Sequence, residues 1–215
     1  MFTHRGANLA LDLITGRSYT NISAYLGMSS TKPTRAGGNF TEPSASEYAR
    51  VLVGTYNGNV KLFSAASEGK TANNDNIYFP VAKENYSRLL YVGIFSSSTG
   101  AAASALVWFA PILYAEYVRS SAEIANAVTL SYDKENDIHT FLSAVSETGG
   151  DYEFTYDGSS WKLSGSAISL STYGITISSD VTPASGDTIT VHFGIVPTNK
   201  TVPMVEVGKI SIEMY

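Results

Sequence analysis

Short apolar runs dominate the pattern of this chain. Tyr48–Val53, Ile77–Val81, Leu89–Phe95 and Ala105–Ile112 are aromatic or β-branched and bounded by Gly, Asn, Ser or Pro, which predicts strands with tight connections. Asn21–Met28 alternates Ile22, Ala24, Leu26 and Met28 on one face, a period-two strand. Val60–Phe63 follows Tyr48–Val53 through Tyr56-Asn57-Gly58-Asn59, and Asn-Gly accepts the positive φ of a tight hairpin. Tyr114–Val118 and Ala125–Tyr132 read as further strands, although the spacing over Ile112–Asn126 fits a helix in part. Ala7–Thr15 is different: Leu9, Leu13 and Ala10 share one face at helical spacing, with Gly16 as a stop. Strands of this kind bury their apolar faces against other strands, so the expected class is all-β. The first domain is expected to be a β-sandwich of about eight strands with a short N-terminal helix. That helix either caps the sandwich or docks on a neighbouring subunit.

Asp133–Asp137 (DKEND) is the obvious charged break and the expected domain boundary, dividing the chain into 1–134 and 135–215. Beyond it Tyr152, Phe154 and Tyr156 alternate with polar residues, Asp157-Gly158 turns the chain, and Trp161 and Leu163 return on a partner strand. Ile168, Leu170, Tyr173, Ile175 and Ile177 are expected to form one strand set, and Thr188–Phe193 another. This makes a second, small immunoglobulin-like β-domain. Val205, Val207, Ile210 and Ile212 alternate once more; they either complete the second sheet or add a strand to a neighbouring subunit.

Composition narrows the chemistry. Charged residues make up 15% of the 215, well under the usual quarter, and aromatics 12% with 14 Tyr. So little charge suits packing among neighbours in an assembly, or a secreted β-domain. The net charge of −5 and scattered Lys and Arg argue against nucleic acid as a partner. Without cysteine there is no disulfide framework, thiolate nucleophile or thiolate metal site. The N-terminal apolar run is interrupted by Asp12, and the most apolar stretch, Ala101–Tyr117, contains Pro111 and Glu116. Neither an export signal nor a membrane span is expected.

His4, His139 and His192 stand in no metal-ligand spacing, and no Gly-x-Ser-x-Gly elbow or phosphate-binding glycine loop occurs. Asn73-Asn74-Asp75-Asn76 lacks the carboxylates of a calcium loop and reads as a turn. No catalytic residue, cofactor or metal is expected. Trp108 and Trp161 are candidates for stacking on a sugar, against the alternative that Trp161 packs on Tyr152 or Tyr156 and Trp108 lies in the core. The Ser, Thr, Gly and Pro-rich stretch Ser29–Ser46 is long enough to be functional and is expected to lie over a neighbour. Ser96–Ala103 is expected to be a flexible hairpin tip.

Ser46-Glu47-Tyr48-Ala49-Arg50, Phe79-Pro80 and Val92-Gly93-Ile94-Phe95, in this order, resemble bacteriophage structural proteins of the tail-fibre or minor tail type over about residues 7–132. Tyr173-Gly174-Ile175-Thr176 and Ser185-Gly186-Asp187-Thr188-Ile189 resemble a small β-module appended to phage virion proteins, over about 145–193. The resemblance implies a non-enzymatic virion protein made in the host cytoplasm. It would be an accessory decoration, collar or fibre component on the head, neck or tail, assembled as a symmetric homo-oligomer. Its partners would be copies of itself and other virion proteins (capsid, portal/neck or tail), not nucleic acid or a membrane. The alternative is a receptor- or carbohydrate-binding module that holds a host surface glycan.

Overall fold

The computed structural model describes residues 1–17, 22–55, 58–118, 128–132, 141, 149–179, 182–206 and 210–213. In chain order the elements are α1 (His4–Ile14), β1 (Ala24–Ser29), β2 (Val51–Gly54), β3 (Lys70–Ala72), β4 (Ile77–Tyr78), β5 (Tyr91–Phe95), α2 (Ala102–Ala105), β6 (Leu106–Pro111) and β7 (Leu113–Val118). They continue with β8 (Val128–Tyr132), β9 (Gly150–Tyr156), β10 (Trp161–Leu163), β11 (Ile175–Ser179), β12 (Thr188–Phe193), β13 (Met204–Val205) and β14 (Ser211–Glu213). Among the described residues every strand pairing is antiparallel. The protein, among the described residues, is all-β, with one short N-terminal helix, the brief helical turn α2 and a 3₁₀ turn at Leu170–Tyr173.

Two compact units form, and they are not the 1–134 and 135–215 expected from the charged break. Unit 1 is Met1–Pro111 with Val196–Tyr215; unit 2 is Ile112–Ile195. The residues around 134 lie outside the described set. The difference has a specific cause. β7 and β8, read as the end of the first domain, pair with β12 and β11 of unit 2. Leu113 to Val118 stand opposite Phe193 to Thr188, so the strand that leaves unit 1 becomes an arm of unit 2.

In unit 1 a four-stranded sheet runs β2-β1-β5-β6. β5 is its buried axis, with Tyr91, Val92, Gly93, Ile94 and Phe95 all buried. Leu26 and Met28 of β1 are buried on its Val92 and Ile94 face, and Phe109 of β6 is buried on the opposite, Gly93 face. At Gly93 an added Cβ would stand 2.6 Å from Leu106 Cδ1 and 2.7 Å from Phe40 Cε2, so glycine lets the Ser29–Ser46 loop press Phe40 onto β5. Phe40 then meets Phe95 edge-on at 4.9 Å. The long loop therefore folds on its own unit, pinned by Thr31 Oγ1 donating to Asn39 O at 2.6 Å and Thr41 N to Ser29 Oγ at 2.8 Å. It does not need a neighbour for its order.

The chain start closes the β6 edge. Thr3 N donates to Val107 O, Phe109 N to Met1 O, and the amino terminus to Phe109 O at 2.7 Å. Thr3 also caps α1 by accepting from Gly6 N at 3.1 Å, which starts the helix three residues earlier than its apolar spacing suggests. Gly6 lies against β6 so closely that a Cβ would stand 2.1 Å from Val107 O.

The C-terminal segments follow neither expected route. They return to unit 1 of the same chain, where Met204 and Val205 pair with Tyr78 and Ile77, and Ser211 to Glu213 with Ala72 to Lys70. Asn73, 2% exposed, holds this return: its amide donates to Glu206 O and Asp75 O and accepts from Ile210 N. The Asn-rich turn is thus a peg for a segment more than a hundred residues away. Its other residues are a plain turn, and among the described residues no group of three His, Asp or Glu could hold a metal ion. Among the described residues no helix is long and apolar enough to cross a membrane.

In unit 2 the sheet runs β10-β9-β12-β7, beside the pair β11-β8. The β9–β10 hairpin is the one the alternation predicts, with Trp161 opposite Tyr156 and Leu163 opposite Phe154. Phe154, Ile189, Val191 and Phe193 are buried on one face, and Phe141 joins them, 5.8 Å from Phe154 and 5.7 Å from Tyr173. The expected strand through Leu170 and Tyr173 is instead a 3₁₀ turn, Leu170–Tyr173, closed by Gly174 at φ 67°. Leu170 and Tyr173 are three residues apart, which is the period of a 3₁₀ turn and not of a strand.

Candidate assembly site

The three segments that carry the phage resemblance converge in unit 1. Tyr48-Ala49-Arg50 enters β2, and Arg50 reaches across to the β5–β6 connection. Its side chain is 3% exposed. Nε and Nη2 donate to the two carboxylate oxygens of Glu42 at 2.9 and 2.6 Å, while Nη1 and Nη2 also donate to Ser97 O and Gly100 O at 3.1 Å each. The guanidinium lies 3.6 Å from the centroid of Phe95. One cation thus joins the long loop, β2 and the Ser96–Ala103 tip, which is held at its carbonyls instead of hanging free. Tyr48 Oη accepts from Met28 N at 2.7 Å and donates to Glu42 Oε1 at 3.2 Å. Burial, then the Glu42 charge, pushes its hydroxyl far above the usual tyrosine range. Phe79 stacks on Tyr48 at 6.2 Å. Glu47 ties the same segment to the chain after β4, accepting from Lys83 N at 2.8 Å and Tyr86 Oη at 3.1 Å; the Lys83 N–H is the main reason its carboxyl titrates low.

Glu42 is the residue that sequence reasoning missed. The signal was present: it is the sole carboxylate in Ser29–Ser46, and Arg50 is the sole cation between Arg35 and Lys61.

Among the described residues, most of the exposed apolar side chains of unit 1 gather at two places, Val196 being the remaining one. On α1 only Gly6 is buried, whereas Leu11, Leu13 and Ile14 are 58, 64 and 73% exposed. Leu13 lies on the Gly6 side of the helix at helical spacing, so the face that docks on β6 continues past the body. Capping of the core is confined to the first turn. The second place is the β4–β13 ribbon. Ile77, Phe79 and Pro203 are buried on its inner side, while Tyr78 and its partner Met204 stand exposed outside, with Val81 and Val202 beside them. An apolar inner and outer side is the pattern of strands covered on both faces.

The candidate sugar-stacking residues separate. Trp108 is 5% exposed in β6, with its ring faces covered. Trp161 is half-buried at the unit 2 hairpin, 5.2 Å from Tyr156. His192 Nδ1 stands 3.1 Å from Asp151 Oδ1 across the β9–β12 register. His4 is exposed at the start of α1, and His139 lies outside the described residues.

At the hairpin turn, Asp157 accepts from Ser159 N, Ser159 Oγ and Ser160 N and pairs with Lys162 at 2.6 Å. Lys162, followed by the serine donors, holds its carboxyl well below the usual range. A depressed carboxylate adds stability above its unfolded pKa and loses it as pH falls through the folded one. Asp157→Asn is therefore expected to weaken unit 2 at neutral pH and to converge with the parent in acid. Urea melts followed by Trp161 fluorescence at about pH 7 and about pH 2 measure this, and an equal deficit at both would refute it.

A protein-family profile described as podophage GP4 fiber I protein gp80 matches residues 2–133, more than half of the chain. The chain belongs to this phage fibre family. It is a structural fibre-type component of the virion, as the tail-fibre resemblance implied. The match takes in the chain start, the Arg50 cluster and the β4 side of the ribbon, and extends through β7 and β8 of unit 2. No curated protein matches the sequence.

Proposed function

We propose that this fibre-family protein is a non-enzymatic accessory component, of decoration, collar or fibre type, carried on the phage head, neck or tail as a symmetric homo-oligomer. Unit 1 is its assembly and anchoring part, and unit 2 is a projecting β-module of the kind appended to phage virion proteins. The supporting observation is the distribution of exposed apolar side chains: among the described residues, Leu11, Leu13, Ile14, Tyr78, Val81, Val196, Val202 and Met204 are all in unit 1. A unit with so much outward apolar surface is suited to burial against other virion proteins. Charge supports the same division. Unit 1 has 11 Lys and Arg against 8 Asp and Glu, net +3, and unit 2 has 3 against 11, net −8. Projecting modules of like charge repel one another and stay apart.

Gold labelling of the protein on intact particles, read by electron microscopy, tests this. Label over the head or neck supports a decoration or collar position, label along the tail a fibre position, and unlabelled particles from cells that contain the protein would refute the virion role.

A second reading, a host-glycan site on unit 2, is favoured by the half-buried Trp161 beside Tyr156, since a partly open indole can stack on a sugar ring. Loss of glycan-array binding in Trp161→Ala, with Trp108→Phe unaffected, is its expected signature. An array that stays blank with the parent protein would dismiss it.

A further inference from the structure

We infer that the two exposed apolar surfaces of unit 1 are the two halves of one interface, in which α1 of one copy docks on the β4–β13 ribbon of a second copy. This rests on the homo-oligomeric reading above and names the contact that builds the oligomer. The two surfaces belong to opposite edges of the same sheet. In the order β2-β1-β5-β6, α1 lies on β6 through Gly6, and the ribbon adjoins β2, where Phe79 stacks on Tyr48. A two-fold contact of like edges, helix on helix or ribbon on ribbon, would leave the unlike surface bare in both copies. Helix against ribbon covers both surfaces, because each copy offers one to the neighbour before it and one to the neighbour after it.

The occupant is a second copy for two reasons. First, both partners of an apolar contact are already present on one chain: the overhanging Leu11, Leu13 and Ile14, and the outward Tyr78, Val81, Val202 and Met204. Second, the rims are of opposite sign. Exposed Arg5 and Arg17 lie in and just after the helix and exposed Arg35 beside its first residue, with Asp12 the acid of the helix itself, whereas exposed Asp75, Glu84 and Glu206 lie near the ribbon strands in the chain with Lys83 and Lys200. An apolar centre with a complementary charged rim is the anatomy of a specific interface. A head-to-tail contact of this kind closes into a ring where its rotation divides the full turn, which is what a symmetric homo-oligomer requires.

Sedimentation velocity on the full chain tests the arrangement. The parent is expected to form a closed oligomer larger than a dimer. Leu13→Asp (helix) and Met204→Asp (ribbon) are each expected to be monomers with unchanged circular dichroism, since both side chains are exposed. The deciding sample is the mixture. An intact helix on the Met204→Asp chain finds an intact ribbon on the Leu13→Asp chain, so equal amounts are expected to give a dimer that neither forms alone. Self-association of either variant alone, a mixture that stays monomeric, or a parent that is monomeric at about 100 µM overturns the inference. Should a variant lose its fold, Leu11→Ser and Val202→Ser replace it. Gold labelling separates the two claims: labelled particles with a monomeric parent overturn this contact and the homo-oligomer but leave the virion role standing, and unlabelled particles with a ring-forming parent overturn the virion role alone.

Discussion

Arg50→Met is expected to destabilise unit 1 by about 3–5 kcal/mol, the usual cost of stranding one partner of a buried ion pair. Against a total stability of about 5–15 kcal/mol, that removes much of the margin. Methionine keeps most of the side-chain bulk over Phe95 but supplies no donor. Glu42 would lose both its bidentate hydrogen bonds, and Ser97 O and Gly100 O would lose theirs. The loss spreads through Glu42 to Tyr48, whose hydroxyl depends on that carboxylate and in turn accepts from Met28 N of β1. Hydrogen exchange is the appropriate measurement because it resolves the parts of the chain. Faster exchange is expected in the 29–46 loop, β1 and the Ser96–Ala103 tip, with unit 2 amides unchanged. Arg50→Lys is expected to recover only part of the stability, since an ammonium cannot serve both carboxylate oxygens and two carbonyls in the planar arrangement. Full rescue by lysine would show that charge alone, without the fork geometry, holds the site.

Phe154→Ala is expected to have a comparable effect in unit 2, about 3–5 kcal/mol for an aromatic truncation in a closed core. The ring is fully buried, stands opposite Ile189 and Leu163 in the sheet, and is 5.8 Å from Phe141. A cavity there touches β9, β10, β12 and the segment bearing Phe141, and no single neighbour can fill it. Trp161, two residues along the same hairpin face, is a built-in reporter. Its fluorescence midpoint in urea is expected to fall in the variant, whereas Phe154→Leu costs less than about 1.5 kcal/mol by keeping most of the volume. A deficit under about 1 kcal/mol for the alanine variant would mean that the core collapses around the site.

Much of the local structure was legible in the residues. The alternation of Tyr152, Phe154 and Tyr156, then Trp161 and Leu163 across Asp157-Gly158, describes the hairpin that forms. Thr188–Phe193 is β12 with the same bounds. Of the candidate site, the segments around Tyr48-Ala49-Arg50, Phe79-Pro80 and Val92–Phe95 were recognised as a set, but not as one cluster. Their joining element, Glu42, sits in a loop without periodicity, and a hydrogen-bonded carboxylate leaves no pattern in sequence.

By itself, then, the sequence determined most of the stretches that become strands, though not β3 or the 3₁₀ turn at Leu170–Tyr173, where α1 begins to repeat apolar residues, and that thiol chemistry has no part in this fold. Side-chain alternation is a local property, and it is enough to say that a segment has a buried side. Only the tertiary structure decided what each segment is buried against. Leu113–Val118 left the first unit for β12, and the last two strands returned past the whole of unit 2 to β3 and β4. A strand's backbone hydrogen bonds can be satisfied by any partner in register. The choice falls to long-range pegs such as Asn73 and Arg50, and to the apolar faces that only a particular pairing covers.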